Sequence, residues 1–77
     1  MAKAFVFVNV DPGSEKEVLE RLREVPGIKE AYLVYGVFDI VAKVETDSME
    51  HLKEAITKAR RLDKIRSTLT TIVMEEK

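Results

Sequence analysis

The sequence predicts an α+β fold in which a strand–helix–strand unit is used twice, giving a four-stranded antiparallel sheet with two helices. Three observations carry this. Four Val-, Ile- or Phe-rich runs and two segments with apolar residues at helical spacing follow one another in the order βαββαβ. The joints hold turn and cap residues, Asp11-Pro12-Gly13, Pro26-Gly27 and Asp47-Ser48. The length, 77 residues, makes residues 1–77 one domain with no room for a second core. Right-handed crossovers that put both helices on one face then give a ferredoxin-like arrangement.

Residues 3–10 are rich in Val and Phe and read as the first strand. After the Asp11-Pro12-Gly13 turn, Ser14-x-x-Glu17 matches a capping box, in which each side chain satisfies an otherwise unpaired backbone donor. Val18, Leu19, Leu22 and Val25 behind it fall at helical spacing, which predicts an amphipathic helix over 14–24, ended by Pro26-Gly27. Segments 28–35 and 40–45 are the second and third strands, joined by a turn from Gly36 to Asp39. Asp47-Ser48 supplies the cap of a second helix, with Glu50 three residues after Asp47 and an apolar stripe of Met49, Leu52, Ile56 and Ala59. Arg60-Arg61 lie near its end, where positive charge suits the exposed carbonyls. Residues 67–74 give the fourth strand.

The strands are apolar on both sides. In the first, Ala4, Val6, Val8 and Val10 alternate with Phe5, Phe7 and Asn9; in the third, Ile40, Ala42 and Val44 alternate with Val41, Lys43 and Glu45. In the fourth, Leu69, Thr71 and Val73 alternate with Thr68, Thr70, Ile72 and Met74. Two helices cover one face, so the other is left with phenylalanines, an isoleucine and a methionine, a patch of the kind that marks an interaction surface. A sheet-to-sheet homodimer buries it.

Composition narrows the function. Thirteen basic and fourteen acidic residues give a net charge of −1, without the basic excess typical of nucleic-acid binders. The absence of cysteine removes disulfides, thiolate metal sites and cysteine nucleophiles, and a single histidine builds no histidine-rich site. No cofactor or metal is expected. The apolar run 4–10 is too short to span a membrane and lacks a cleavage pattern, so the reading is a soluble cytoplasmic protein without membrane contact. With no disulfide or metal to supplement so small a core, oligomerisation is the remaining support. The lack of Gln and the single Asn9, beside abundant Lys and Glu, point to a thermophilic source.

The most informative stretch is 32–44. Two apolar runs are broken by Gly36, which can take positive φ, and closed by Asp39, an acid among apolar neighbours that needs a hydrogen-bonded partner or a ligand. This turn is either a hairpin with a satisfied carboxylate or the rim of a small binding site.

The strand followed by Asp11-Pro12-Gly13 and a helix, the Gly36-x-x-Asp39 turn and the closing Ser67-Thr68-Leu69-Thr70-Thr71-Ile72-Val73 together resemble the effector-binding (RAM) domain of the Lrp/AsnC feast/famine transcription regulators. The resemblance covers the whole chain. It implies a homodimer whose two sheets face each other as a dimeric α/β barrel, and assembly of dimers into an octamer or decamer ring. It also implies that an amino acid or related small metabolite binds where dimers meet. The binding residues carried over by motif are Gly36, Val37, Phe38, Asp39, Thr68 and Thr70, and Tyr35 beside the turn joins them as a candidate. Backbone N–H groups around Gly36 would receive a carboxylate, Asp39 an ammonium, and the threonines would offer hydroxyls while Tyr35 and Phe38 wall the ligand.

Two departures matter. The chain begins on its first strand, with no helix-turn-helix before it, so direct operator binding is not expected and output would pass through a full-length regulator of the family by mixed assembly. Asp63-Lys64-Ile65-Arg66 also stands where family members carry a Pro-Gly type of turn. The alternative reading is a small dimeric α/β-barrel enzyme of the cofactor-free monooxygenase type, disfavoured by one His, no Cys, no Trp and one Asn. An RNA-recognition module stacking bases on Phe5 and Phe7 ranks last, given the charge balance.

Overall fold

The computed structural model describes residues 1–74. Six elements follow in the predicted order: β1 (Ala2–Val10), α1 (Glu15–Arg23), β2 (Ile28–Leu33), β3 (Ile40–Thr46), α2 (Met49–Arg60) and β4 (Ile65–Ile72). They form one sheet in the order β2-β3-β1-β4, with every neighbouring pair antiparallel. The fourth strand begins and ends two residues earlier than the apolar run suggests, and the second stops at Leu33 rather than at Tyr35.

Alternation decides what is buried. Ala4, Val6, Val8 and Val10 of β1, with Ile40, Ala42 and Val44 of β3, turn toward the helices and meet Val18, Leu19 and Leu22 of α1 and Leu52, Ala55, Ile56 and Ala59 of α2. Leu22, Ile40 and Leu52 are the largest fully buried side chains, and none of the described phenylalanines or tyrosines enters this core. The second sheet face has no helix over it. Pairing across the strands sets Tyr32, Val41, Phe7 and Leu69 in one row on that face, with Glu30, Lys43, Phe5 and Thr71 in the next. Ile72, counted above with the open-face patch, lies opposite Ala4 and packs against the core instead. Leu69 takes the outward position, because Thr68, Thr70 and Ile72 share the side of Val8, Val6 and Ala4.

The predicted capping boxes are not formed. Ser14 precedes α1 but its side chain makes no cap bond, and Glu17 instead receives the Lys64 ammonium at 3.0 Å. At α2, Ser48 rather than Asp47 is the cap, accepting from the His51 N–H at 3.2 Å. Asp47 is drawn to the His51 ring, with Oδ1 2.6 Å from Nδ1. Both helix starts are legible in the sequence; Glu17 and Asp47 turn to other partners, while Ser48 still caps α2.

In the segment expected to differ from the family's turn before the last strand, Lys64 adopts a left-handed backbone with φ 70°. Asp63 Oδ1 accepts its N–H at 3.0 Å, and its carbonyl accepts the Asp11 N–H at 2.9 Å. A lysine thus holds a conformation that ordinarily favours Gly or Asn, supported by bonds on both sides. Gly27 is the tightest joint. Its φ is 102°, and a Cβ there would lie 3.1 Å from both Ala55 Cβ and Thr46 Cγ2, where α2 crosses the base of the β2–β3 pair.

Gly27→Ala should therefore lose about 1–3 kcal/mol in urea denaturation, combining backbone strain with overpacking. Gly36→Ala, at φ 131° but with open space around it, should lose less; equal losses would show that contact at Ala55 is unimportant. A second expectation concerns pH. Bonding to Asp47, then its charge, raises the His51 pKa, while bonding to His51, then its charge, lowers that of Asp47. A raised imidazole pKa adds stability that is lost as pH rises through it; a lowered carboxyl pKa adds stability that is lost as pH falls through it. The pair should stabilise between about pH 4 and pH 6.5 and fade on either side. His51→Ala should flatten that part of the stability–pH curve.

Candidate functional site

The turn after β2 is tied to the end of β1 by one residue. Val34 donates to the Asp39 carbonyl at 2.9 Å, and the Asp39 N–H donates to the Val8 carbonyl at 3.0 Å. The β1–β3 pairing ends at Val8 and Ile40, so Val10, two residues on, has no strand opposite it on that side. The Asp39 carboxylate fills the gap, with Oδ2 accepting the Val10 N–H at 2.9 Å. A side chain thus replaces the missing ladder carbonyl, where β1 also shifts register against β4 between Asn9 and Val10. This satisfies a backbone donor that would otherwise be stranded in a largely buried position.

Asp39 is also a rim. It lines two clefts that meet at this end of the sheet. One, of about 520 Å³, is bordered by Asn9, Val10, Glu15, Asp39, Arg66 and Ser67; the other, of about 450 Å³, by Glu15, Leu33, Val34, Tyr35 and Asp39. The carboxylate is satisfied, as the hairpin reading expects, and the same residue also borders two clefts.

The remaining expected site residues are dispersed. Tyr35 joins Asp39 in the second cleft. Gly36 and Val37 form the exposed tip of the turn. Phe38 folds back to the open sheet face, its ring 5.6 Å from that of Phe7 at 44°. Thr68 and Thr70 are half-buried on the helix side of edge strand β4, opposite Val8 and Val6, and neither borders these clefts. The residues that sequence reasoning misses are Asn9, Glu15, Arg66 and Ser67. Asn9 carries a signal, as the only asparagine of the chain and the polar break in the Phe5-Phe7 side of β1. Its amide donates to Ser67 Oγ at 3.2 Å. Glu15 is masked in the sequence by the Ser14-Glu17 spacing around it.

The uncovered sheet face is a second candidate surface. Its apolar centre is edged by ion pairs, Lys43 Nζ to Glu30 Oε2 at 3.6 Å and Lys3 Nζ to Glu45 Oε2 at 4.0 Å. The Tyr32 hydroxyl also donates to Glu30. That bond, aided by the charge of Lys43, holds the Glu30 carboxyl below its ordinary pKa, and the same bond raises the Tyr32 phenol. Among the described residues no group of three or more His, Cys, Asp or Glu is placed to hold a metal ion, and no helix is long and apolar enough to cross a membrane.

Comparison with known proteins gives a consistent picture. The family model for the Lrp/AsnC ligand binding domain matches residues 3–77. An uncharacterised HTH-type transcriptional regulator of Pyrococcus furiosus is 36% identical over 73 residues, 90% of this chain and 49% of that protein. The chain thus spans about half the length of the regulators it matches; it is also 36% identical to 59 residues of a Sulfurisphaera tokodaii homocitrate synthase, only 13% of that enzyme. Among solved structures, hypothetical protein PHS023 of Pyrococcus horikoshii is 43% identical, with a TM-score of 0.88 over 99% of this chain and 93% of that one. The protein TTHA0845 of Thermus thermophilus is 27% identical, with a TM-score of 0.92 over 100% and 98%. A feast or famine regulatory protein of M. tuberculosis, solved with L-methionine, is 25% identical, with a TM-score of 0.77 over 99% and 52%.

The bond to Val10 makes its own prediction. Asp39→Ala strands that N–H and should lower unfolding free energy by about 1–3 kcal/mol. Asp39→Asn keeps an oxygen acceptor and should recover most of the loss. Chemical denaturation of both variants checks the brace; an alanine variant as stable as the parent would discount it.

Proposed function

Because the chain belongs to the Lrp/AsnC ligand-binding domain family, we propose that it senses an amino acid or a closely related metabolite and reports it through its own assembly. The observation that carries this reading is the Asp39 turn, where carboxylates, a guanidinium and apolar side chains border adjoining clefts. The methionine complex of the tuberculosis regulator supports an amino acid as the class of ligand.

The open sheet face is where a second copy docks, giving a dimeric α/β barrel that removes Phe5, Phe7, Val41 and Leu69 from water. Dimers then meet through the exposed turn and close into a ring. Gly36, Val37, Thr68 and Thr70, which one chain does not bring to the clefts, reach the ligand from adjoining subunits in such a ring. A ligand with different affinities for two arrangements shifts the balance between them by that difference, whether the readout is ring size or ring stability. The output passes to transcription through a full-length relative in a mixed assembly, in the cytoplasm and without operator contact by this chain. Catalysis has no part in the reading; the matching regulators support a sensing role.

Light scattering and thermal melts with each common amino acid test this. One of them should change the mass or raise the melting temperature, with about 2.7 kcal/mol of stabilisation at a hundredfold excess over Kd. Asp39→Asn, which keeps the brace to Val10 but removes the charge, should cancel that response and leave the dimer intact. A dimer that ignores every amino acid would overturn the sensing role.

A further inference from the structure

We propose that the free edge of β4 is an interface at which two copies of the chain join antiparallel, about a two-fold axis at Thr70. The joint is made of backbone rather than of the side chains of the sheet face. It rests on the reading that the chain assembles with copies of itself, and adds the place and register of one contact.

β4 is an edge strand, and one bond tells which way its backbone faces. The Val73 N–H donates to the Lys3 carbonyl at 2.9 Å. Bonded pairs alternate with unbonded ones along an antiparallel ladder. In the same register Phe5 pairs with Thr71, Phe7 with Leu69 and Asn9 with Ser67, so these residues of β4 turn their N–H and C=O groups to β1. Thr68, Thr70 and Ile72 point theirs away from the sheet. Among the described residues no turn, cap or side-chain bond reaches those outward groups.

The opposite edge is blocked. The same alternation, set there by the Val34 N–H on the Asp39 carbonyl, turns Ala31 of β2 outward. Arg23 Nη2 donates to that outward Ala31 carbonyl at 2.9 Å. β2 also carries Lys29 and Glu30, with a register shift between Ile28 and Glu30. Charges, bulges and covering side chains are what keep sheet edges from pairing. β4 has its irregularity only at its start, opposite Asn9 and Val10. Residues 67–74 hold no charge, proline or glycine, in a chain that is 35% charged. A copy that joined β4 through its own β2 would have to dislodge Arg23. One that joined through its own β4 displaces nothing and sets no like charges opposite each other.

The outward groups also choose the register. Centring the axis on Thr70 places Thr70 against the partner's Thr70 and Thr68 against the partner's Ile72, so each outward residue enters a doubly bonded pair. Sliding by two residues brings in either Arg66, which the β1 pairing skips, or Met74, beyond the end of the strand. Sliding by one sets outward groups against residues whose groups face β1. In the centred register Leu69, 52% exposed, stands opposite the partner's Thr71 on the uncovered side of the sheet. Their Cα atoms come to about 4.5 Å, as in other unbonded pairs.

The chain has no cysteine, so introduced thiols report alone. Leu69→Cys mixed with Thr71→Cys should form an intermolecular disulfide under mild oxidation. Either variant by itself should form about tenfold less, because each position lies about 7–8 Å from its own copy. Thr70→Pro, added to both variants, removes an N–H that β1 does not use. It should cut the cross-link by about tenfold while the circular dichroism of the parent is retained. If the proline variants unfold, the mixture compared with the single variants decides. Sedimentation of the parent over a range of concentrations separates the remaining outcomes. A parent that stays monomeric overturns the assembly reading and this joint together. A parent that assembles, while the mixture links no better than the single variants, overturns the joint alone.

Discussion

Two helices cannot cover both sides of a four-stranded sheet, and most of what distinguishes this molecule follows from that shortage. The covered side is filled with valine, alanine, leucine and isoleucine at close quarters, while the aromatic side chains are left outside. Aromatic residues bring the largest apolar areas in the chain, and a domain this small has little stability to spare. Phe5 and Phe7 sit on the face that no helix covers. The rows of charge beside the apolar centre, Lys43 with Glu30 and Lys3 with Glu45, limit how a second surface can be laid on it, since a misplaced apolar group would strand those charges.

Asp39 ties this architecture to the candidate site. Its backbone closes the β2–β3 turn, its carboxylate completes the hydrogen bonding of β1, and its position borders both clefts. A group that engages this carboxylate therefore acts on the end of the central strand, the register shift beside Asn9 and the turn that presents Tyr35 and Val37. That places a small chemical event next to the most exposed apolar tip of the chain. One acid thus serves the turn and the central strand together, at the border of both clefts.

The helix starts show how tertiary contacts rearrange local motifs. The Ser14-Glu17 and Asp47-Glu50 spacings correctly mark where α1 and α2 begin, yet the acids go elsewhere, Glu17 to Lys64 and Asp47 to His51. Lys64 joins three segments at once, through its left-handed backbone, its carbonyl bond to Asp11 and its ammonium contact with Glu17. The turn before β4, with Lys64 in a left-handed conformation, is held by partners distant in sequence.

By itself the sequence determined the order of elements, the two-faced strands, the turn at Gly36–Asp39 and the family. The first three rest on spacing or turn chemistry that is local and survives any arrangement of neighbours; the family rests on the resemblance of motifs in order along the whole chain. Tertiary structure alone decided that Ile72 faces inward and Leu69 outward, because strand register, not composition, assigns a face. It alone gave Asp39 its partner, since Val10 is 29 residues away along the chain. It alone gathered Glu15, Asn9 and Arg66 around that acid, on three elements that no sequence interval connects. Thr68 and Thr70 show the converse: their motif is readable, but within one chain β4 holds them on the helix side, away from the clefts. Periodicity fixes which way a side chain points along its own element, and only the packing of elements fixes what it meets.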